Sequence, residues 1–523
     1  MLVFEIIVGL LLAGAGLTAL SRRLGTPYPA MVALAGAGLA LVPGTPTLVL
    51  DPELALTLFV APVLLDAAFD ASLRDLRANW RTVAGLVIGA VAFTIVVVAV
   101  VAHLLVPDMP WAVAIALGAI VAPPDAAAAT AVLKQLRPPY RLLVVLEGES
   151  LFNDASALLV YRLAVGTVGS VALGFLLSRV VVQVIARIHD VAIAVVVQFC
   201  GTFAVWLLAE RLHLSGILTV VVFAMATARR SAETTPARVR IPSYAVWDFA
   251  VFVLNVLAFI LVGFQLKDIL GRLDSKTLLA YAGVAATVCA ATMVARIAWV
   301  SGAAALSRGW HRWRSRHTPG RDGSSVLSRE AAAVIGWCGM RGIVTLAAAL
   351  ALPTGRGGSP AFPFRDLVLF TAFSVVLGTL VVQGMTLRPL LDALQFEVDD
   401  SVEREVRLAR VASLRAAFQA TCERPDEEMS GLLRRRYEVL LRRAEADLAS
   451  GGSASHGASE DDSHAFDVDA AIVRGVTSAA RRRLIALRAD GTIGDAAFQR
   501  IEQELDLEEL DLQQLTSGES TGA

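Results

Sequence analysis

Thirteen apolar runs separated by short polar loops fill residues 1–396 of this chain, and they leave few folds open to it. They cover approximately residues 2–20, 29–43, 54–71, 82–106, 111–133, 142–164, 168–186, 191–210, 214–228, 244–266, 278–305, 331–352 and 366–391. A helix that crosses the hydrocarbon core of a bilayer needs about 20 apolar residues. Within lipid every backbone amide must be satisfied by the protein itself, so only helices or a closed β-barrel can cross. A barrel would show alternation in segments of about ten residues, whereas these runs are continuous. The chain is therefore expected to be an all-α polytopic membrane protein. Its composition agrees, with 56% hydrophobic and 18% charged residues against about 45–50% and 25% in soluble chains.

The formal net charge of −1 hides two opposite halves. Residues 397–523 carry 26 acidic and 16 basic residues, net −10, and residues 1–396 carry net +9. The acidic tail and the scattered loop arginines exclude a nucleic-acid surface. Assigning alternate loops to one side collects 19 Lys and Arg there against 6 on the other. The positive-inside rule then puts the richer side and the tail in the cytoplasm and the N-terminus outside. The first run precedes its arginines, Arg22 and Arg23, the reverse of a signal peptide, and reads as a retained span. Two regions follow: a transmembrane domain, 1–396, and a cytoplasmic helical tail, 397–523, with a linker near 450–463 that is flexible by composition. The four cysteines show no paired spacing, so neither a disulfide scaffold nor a zinc site is expected. No nucleotide-binding loop, metal-ligand motif or nucleophile constellation occurs, so neither an enzyme, nor a cofactor, nor a nucleotide is expected. Membrane lipid is the expected surrounding partner.

Ionisable groups in mid-membrane are costly unless paired or hydrated, and each marks a candidate site. Asp66, Asp125, Glu149, Asp154, Arg296 and Arg341 form that set, while Glu5, Asp70, Arg162, Arg179 and Asp248 stand nearer span ends, where snorkelling accounts for most of them. Ser150 and Asp154 are four residues apart and share a helix face, with Asn153 one turn from Glu149 on a neighbouring stripe. A hydroxyl and a carboxylate on one face are the hard oxygen ligands that a monovalent cation takes. In the run 111–133, Pro123 and Pro124 remove backbone donors just before Asp125, which breaks the helix and frees carbonyls. A second run is broken at Gly336-Trp-Cys-Gly-Met-Arg-Gly342. Paired broken helices form binding sites in transporters. Two of them seven spans apart run in opposite directions, as an inverted repeat produces.

The segments GESLFNDASALLVYR, AERLHLSGILTVVV, FVLNVLAFILVGFQL and GMRGIVTLAAALALP, in that order, resemble the bacterial sodium/proton exchangers of the monovalent cation:proton antiporter-1 family, and AFQRIEQELDLEEL resembles their cytoplasmic end. The resemblance implies about 13 helices in two inverted repeats with two discontinuous helices, a homodimer, and elevator-like motion of a core domain. It implies that Asp154 binds the ion or proton, with Asn153 and Ser150 beside it and Asp66 contributing where the family usually has glutamate. Glu149 and Arg341 fall on the family's buried acid–arginine pair, Arg296 on another core arginine, and Asp125 on the aspartate of its Thr-Asp-Pro break. Pro124 replaces that threonine and Ala126 that proline, so one hydroxyl ligand is absent here. The function implied is antiport of a monovalent cation, foremost Na+, for H+ across the cell membrane, electroneutral through one titratable carboxylate, in pH and sodium homeostasis. K+/H+ exchange and a non-transporting sensor on the same fold are the alternatives.

Overall fold

The computed structural model describes residues 2–24, 26–40, 42, 54, 56–125, 129–130, 133, 138–159, 164–188, 190–271, 273–317, 328–353, 362–394, 396, 399–422, 428–449 and 470–517. Among them helix is the only regular structure. The membrane part comprises α1 (Leu2–Leu24), α2 (Tyr28–Ala40), α3 (Ala61–Asp70), α4 (Leu73–Leu105), α5 (Trp111–Val121), α6 (Tyr140–Leu159), α7 (Ala164–Ile185), α8 (Val191–Arg211), α9 (Gly216–Thr234), α10 (Ala237–Leu270), α11 (Ser275–His317), α12 (Arg329–Trp337), α13 (Ile343–Leu350) and α14 (Arg365–Leu394). Each apolar run read from the sequence has helix within it, and six of these helices are long and apolar enough to cross a membrane.

Local chemistry sets the helix starts. Ser215 Oγ accepts from Leu218 N at 3.3 Å, Asp190 Oδ1 from Ile193 N at 2.9 Å and Ser328 Oγ from Ala331 N at 3.0 Å, which satisfies donors that a first turn leaves open. Two helix groups pack together. In one, α9 lies against α7, α8 and α3, and α10 lies along α2 and α1. In the other, α11 lies against α4, α12 and α14. Helix α14 is the most enclosed of the long helices, whereas Leu279, Val294 and Leu306 of α11 point outward, as side chains facing lipid do. Glycines permit the closest approaches. A β-carbon at Gly174 of α7 would lie 2.6 Å from the Thr219 carbonyl oxygen of α9, and one at Gly118 of α5 would lie 2.7 Å from that of Ile95 in α4. Small residues at such crossings let backbones approach where no hydrophobic force drives helices together.

The tail forms α15 (Ser401–Cys422), α16 (Glu428–Ala449), α17 (Ala470–Ala489) and α18 (Asp495–Ser517) around its own apolar cluster, which includes Tyr437, Leu484 and Phe498. The linker near 450–463 lies outside the described residues. The tail also docks on the membrane part. Arg74 donates to Glu405 at 2.9 Å and to the Gly491 carbonyl at 3.2 Å, and Asp399 accepts from Tyr140 N at 2.9 Å. Arg240 of α10 holds Asp506 of α18 through both carboxylate oxygens, Nε to Oδ2 at 2.6 Å, and lies 3.1 Å from Glu502. The loops at Arg74 and Arg240, which the charge count assigns to the tail's side, thus share one face with the tail.

Glu502 is buried in this interface, and desolvation outweighs Arg240 to hold its carboxyl above the usual carboxylate range. The groups around it are Arg240 and Tyr244 of α10, Arg481 and Arg488 of α17, and Asp506 of its own helix. A carboxyl whose value is raised on docking favours docking most below its ordinary value of about 4.5, and that contribution is lost as pH rises through the raised value. Spin-label distances between the exposed positions Ala78 and Thr492 should therefore broaden as pH rises through that range, and Glu502→Gln should flatten the response. An identical pH response in the variant would remove Glu502 as its source.

Candidate functional site

Two helix breaks cross in the middle of the membrane part. Helix α5 stops at Val121, where Pro123 and Pro124 follow, and α12 stops at Trp337. From Cys338 to Gly342 the chain is non-helical, and α13 begins at Ile343. The two breaks meet through Asp125 N, which donates to the Met340 carbonyl at 2.7 Å. A β-carbon on Gly342 would run into the Asp125 carboxylate, so glycine is required for Asp125 to lie over the start of α13. Pro124 is buried beside this contact. Ala126 lies outside the described residues.

Arg341 ties the crossing together. Its guanidinium donates to the carbonyls of Val121 at 2.8 Å and Ala122 at 3.1 Å, and also to that of Gly339. Val121 and Ala122 form the C-terminal end of α5, where unpaired carbonyls and the helix dipole concentrate negative potential, and Gly339 lies in the break that follows α12. Its backbone N donates to Thr379 Oγ1 of α14 at 3.1 Å. The side chain is fully buried, so one charge in mid-membrane is neutralised by backbone dipoles.

The acid–arginine pair is therefore not the one the sequence implies. Glu149 does not bond Arg341. Its two carboxylate oxygens accept from Arg296 Nη1 and Nη2, both at 2.6 Å. Arg296 on α11 faces Glu149 on α6 and reaches it in a two-pronged fit, while Arg341 is committed to carbonyls of the two breaks. Arg296 also donates to the Ile335 carbonyl at 3.3 Å, and both partners are almost wholly buried. Paired forks of this kind are the strongest charge-assisted hydrogen bonds. Gly339 separates the two arginines: a β-carbon there would meet Arg296 Nε at 2.8 Å and Arg341 Nη1 at 2.9 Å.

The structure thus gathers Glu149, Arg296, Arg341, Pro124 and Asp125 around one crossing. Asn153 lies one turn beyond Glu149 on α6 and is buried, and Ser150 is half-buried. Asp154 lies within α6, and its side chain lies outside the described residues. Asp66, on α3, lines a cavity together with Asp70 and Asp248, so these last two do more than snorkel at span ends. Three residues escaped the sequence reading. Thr379 holds the Arg341 backbone, and Tyr28 bonds Asn255 close to Asp125. A single threonine, tyrosine or asparagine in an apolar run carries no spacing signal that would reveal such partners.

The family model for the transmembrane sodium/hydrogen exchanger matches residues 6–393. The chain belongs to the sodium/hydrogen exchanger family. It is 30% identical over 545 residues to an uncharacterized Na+/H+ exchanger of Mycobacterium tuberculosis, covering 98% of this chain and 97% of that one. A sodium, potassium, lithium and rubidium/H+ antiporter of Bacillus subtilis is 30% identical over 375 residues, 65% of this chain and 54% of its own. Among solved structures, the sodium proton antiporter MjNhaP1 of Methanocaldococcus jannaschii superposes with a TM-score of 0.55 at 17% identity, over 76% of this chain and 99% of that one. At that identity the likeness concerns the fold. The exchanger family is one of membrane antiporters.

Removing one member of a buried pair strands the other, at about 3–5 kcal/mol. Arg296→Ala should thus lower the melting temperature of detergent-solubilised protein far more than Ser150→Ala, and Glu149→Leu with Arg296→Met should recover most of the loss. Wild-type melting of Arg296→Ala would contradict the pairing.

Proposed function

We propose that this exchanger trades a cytoplasmic monovalent cation, Na+ foremost, for an external proton across the cell membrane. The observation that carries the reading is the crossing of two interrupted helices beside α6, the helix that bears Ser150, Asn153 and Asp154. Glu149, on the same helix, is committed to Arg296. Asn153 has no charge to exchange. Asp154 is then the carboxylate of its motif that can hold either a cation or a proton, and competition for it couples the two fluxes. Loaded with either, the site is neutralised and can change sides; empty, it carries a charge that the membrane penalises. One carboxylate per cycle makes the exchange electroneutral. Ser150 and Asn153 supply neutral oxygen, and Asp66 a further carboxylate on the access side.

The same reading places about 13 crossings in two inverted repeats, with the tail cytoplasmic and the N-terminus outside. It takes two copies to pair, as the resemblance to the exchangers implies. K+ is the second candidate cation. The B. subtilis relative's name includes potassium, and Pro124 leaves this break without the hydroxyl that would favour a small, tightly held ion.

Purified protein in liposomes, with internal pH followed as Na+, Li+ or K+ is added, tests the reading. Asp154→Asn should abolish exchange with every cation while leaving expression and melting unchanged. Near-wild-type exchange in that variant would move the site to another carboxylate, Asp66 first. Pro124→Thr should alter the order of apparent affinities for Na+, Li+ and K+; an unchanged order would mean that the break contributes only backbone.

A further inference from the structure

A cavity of about 200 Å³ lies between α3, α7, α9 and α10, with room for several waters or a partly hydrated cation. Asp66, Asp70 and Asp248 line it together with Arg240, three acids against one base that is itself paired with Asp506, which leaves it acidic on balance and able to concentrate cations. Its wall is completed by the tail, because Gln499 and Gln503 of α18 line it too. Gln499 donates to Asp70 at 3.2 Å. At its edge Arg240, itself a lining residue, and Arg481 close on Asp506, the latter at 2.8 Å, and all three anchor the helix at this spot. Arg240 and Asp506 are almost wholly buried, so the clasp is a packed junction and not a surface ion pair.

We propose that α18 is the outer wall of the cation-access path: its Gln499 and Gln503 stand at the mouth of the Asp66 cavity, held there by the Arg240–Asp506 clasp, so cations pass this helix on their way to the site. The inference rests on the antiport reading above and assigns a transport role to a segment outside the membrane part. A tail that merely stabilised the fold would set how much protein is folded. A tail that forms the path also sets how tightly the cation is gathered.

Gln503 is exposed, so its charge can be changed without disturbing packing. With the cation added on the tail's side of liposomes, Gln503→Arg should raise the half-saturating Na+ concentration about threefold and Gln503→Glu should lower it about threefold, as expected for one charge near the path at partial screening. Maximal rate and melting temperature should not move. Identical half-saturation in both variants would overturn the proposal. In a background with Cys200 and Cys422 replaced by serine, Asp506→Asn should speed labelling of Thr235→Cys by a membrane-impermeant thiol reagent about tenfold; equal labelling would show that α18 does not cover the cavity. Faster labelling with unchanged half-saturation in the Gln503 variants would place the cavity off the cation path. Wild-type protein that exchanges no alkali cation would sink the antiport reading instead, while the labelling contrast would still decide whether α18 is the cavity's wall.

Discussion

The buried guanidinium of Arg341 is the interaction on which the rest of the membrane part depends. A helix that stops in mid-membrane exposes carbonyls that lipid cannot satisfy, at several kcal/mol each. Here the ends of α5 and α12 stop within reach of one another, and Arg341 donates to carbonyls at the end of α5 and in the break that follows α12. The cation and the helix ends each remove the other's cost. Without the breaks the arginine would be an intolerable lone charge, and without the arginine the breaks would be open wounds in the backbone network. Thr379 and the Asp125–Met340 contact then fix the crossing against α14.

That arrangement decides what Glu149 can do. Because Arg341 is occupied by carbonyls, the acid on α6 finds its partner across the bundle in Arg296, and α6 is thereby bound to α11. The segment that carries Ser150 and Asn153 follows Glu149 directly on α6. The cavity beside α3 has acids lining the space and arginines clasping its edge against the docked tail.

Much of the fold was legible in the sequence because lipid imposes so few solutions. Continuous apolar runs read as helices, Pro123 and Pro124 read as a break, and the glycines around Arg341 read as another. The pairing of charges was less legible. Glu149, Arg296 and Arg341 could all be named from their positions in apolar runs, but the choice between two arginines depends on helix rotation and on which carbonyls lie nearby. No spacing rule carries either. The tail reads correctly as amphipathic helices, yet its docking through Arg240, Glu502 and Asp506 joins residues more than 260 positions apart, and local pattern has no access to such contacts. Asp70 and Asp248 likewise read as span-end residues until three-dimensional packing placed them around one cavity.

The central proposal is that Asp154 alone trades a cation for a proton, so no net charge moves. Exchange in liposomes with the membrane potential clamped first at zero and then at about −100 mV measures this directly. One net charge moved across that potential is worth about 2.3 kcal/mol, enough to displace an end-point gradient by well over tenfold. Equal end-point Na+ and H+ gradients at both potentials are expected. A gradient that shifts with the clamp would contradict the claim, and its disappearance in Asp66→Asn would identify the second titrating group.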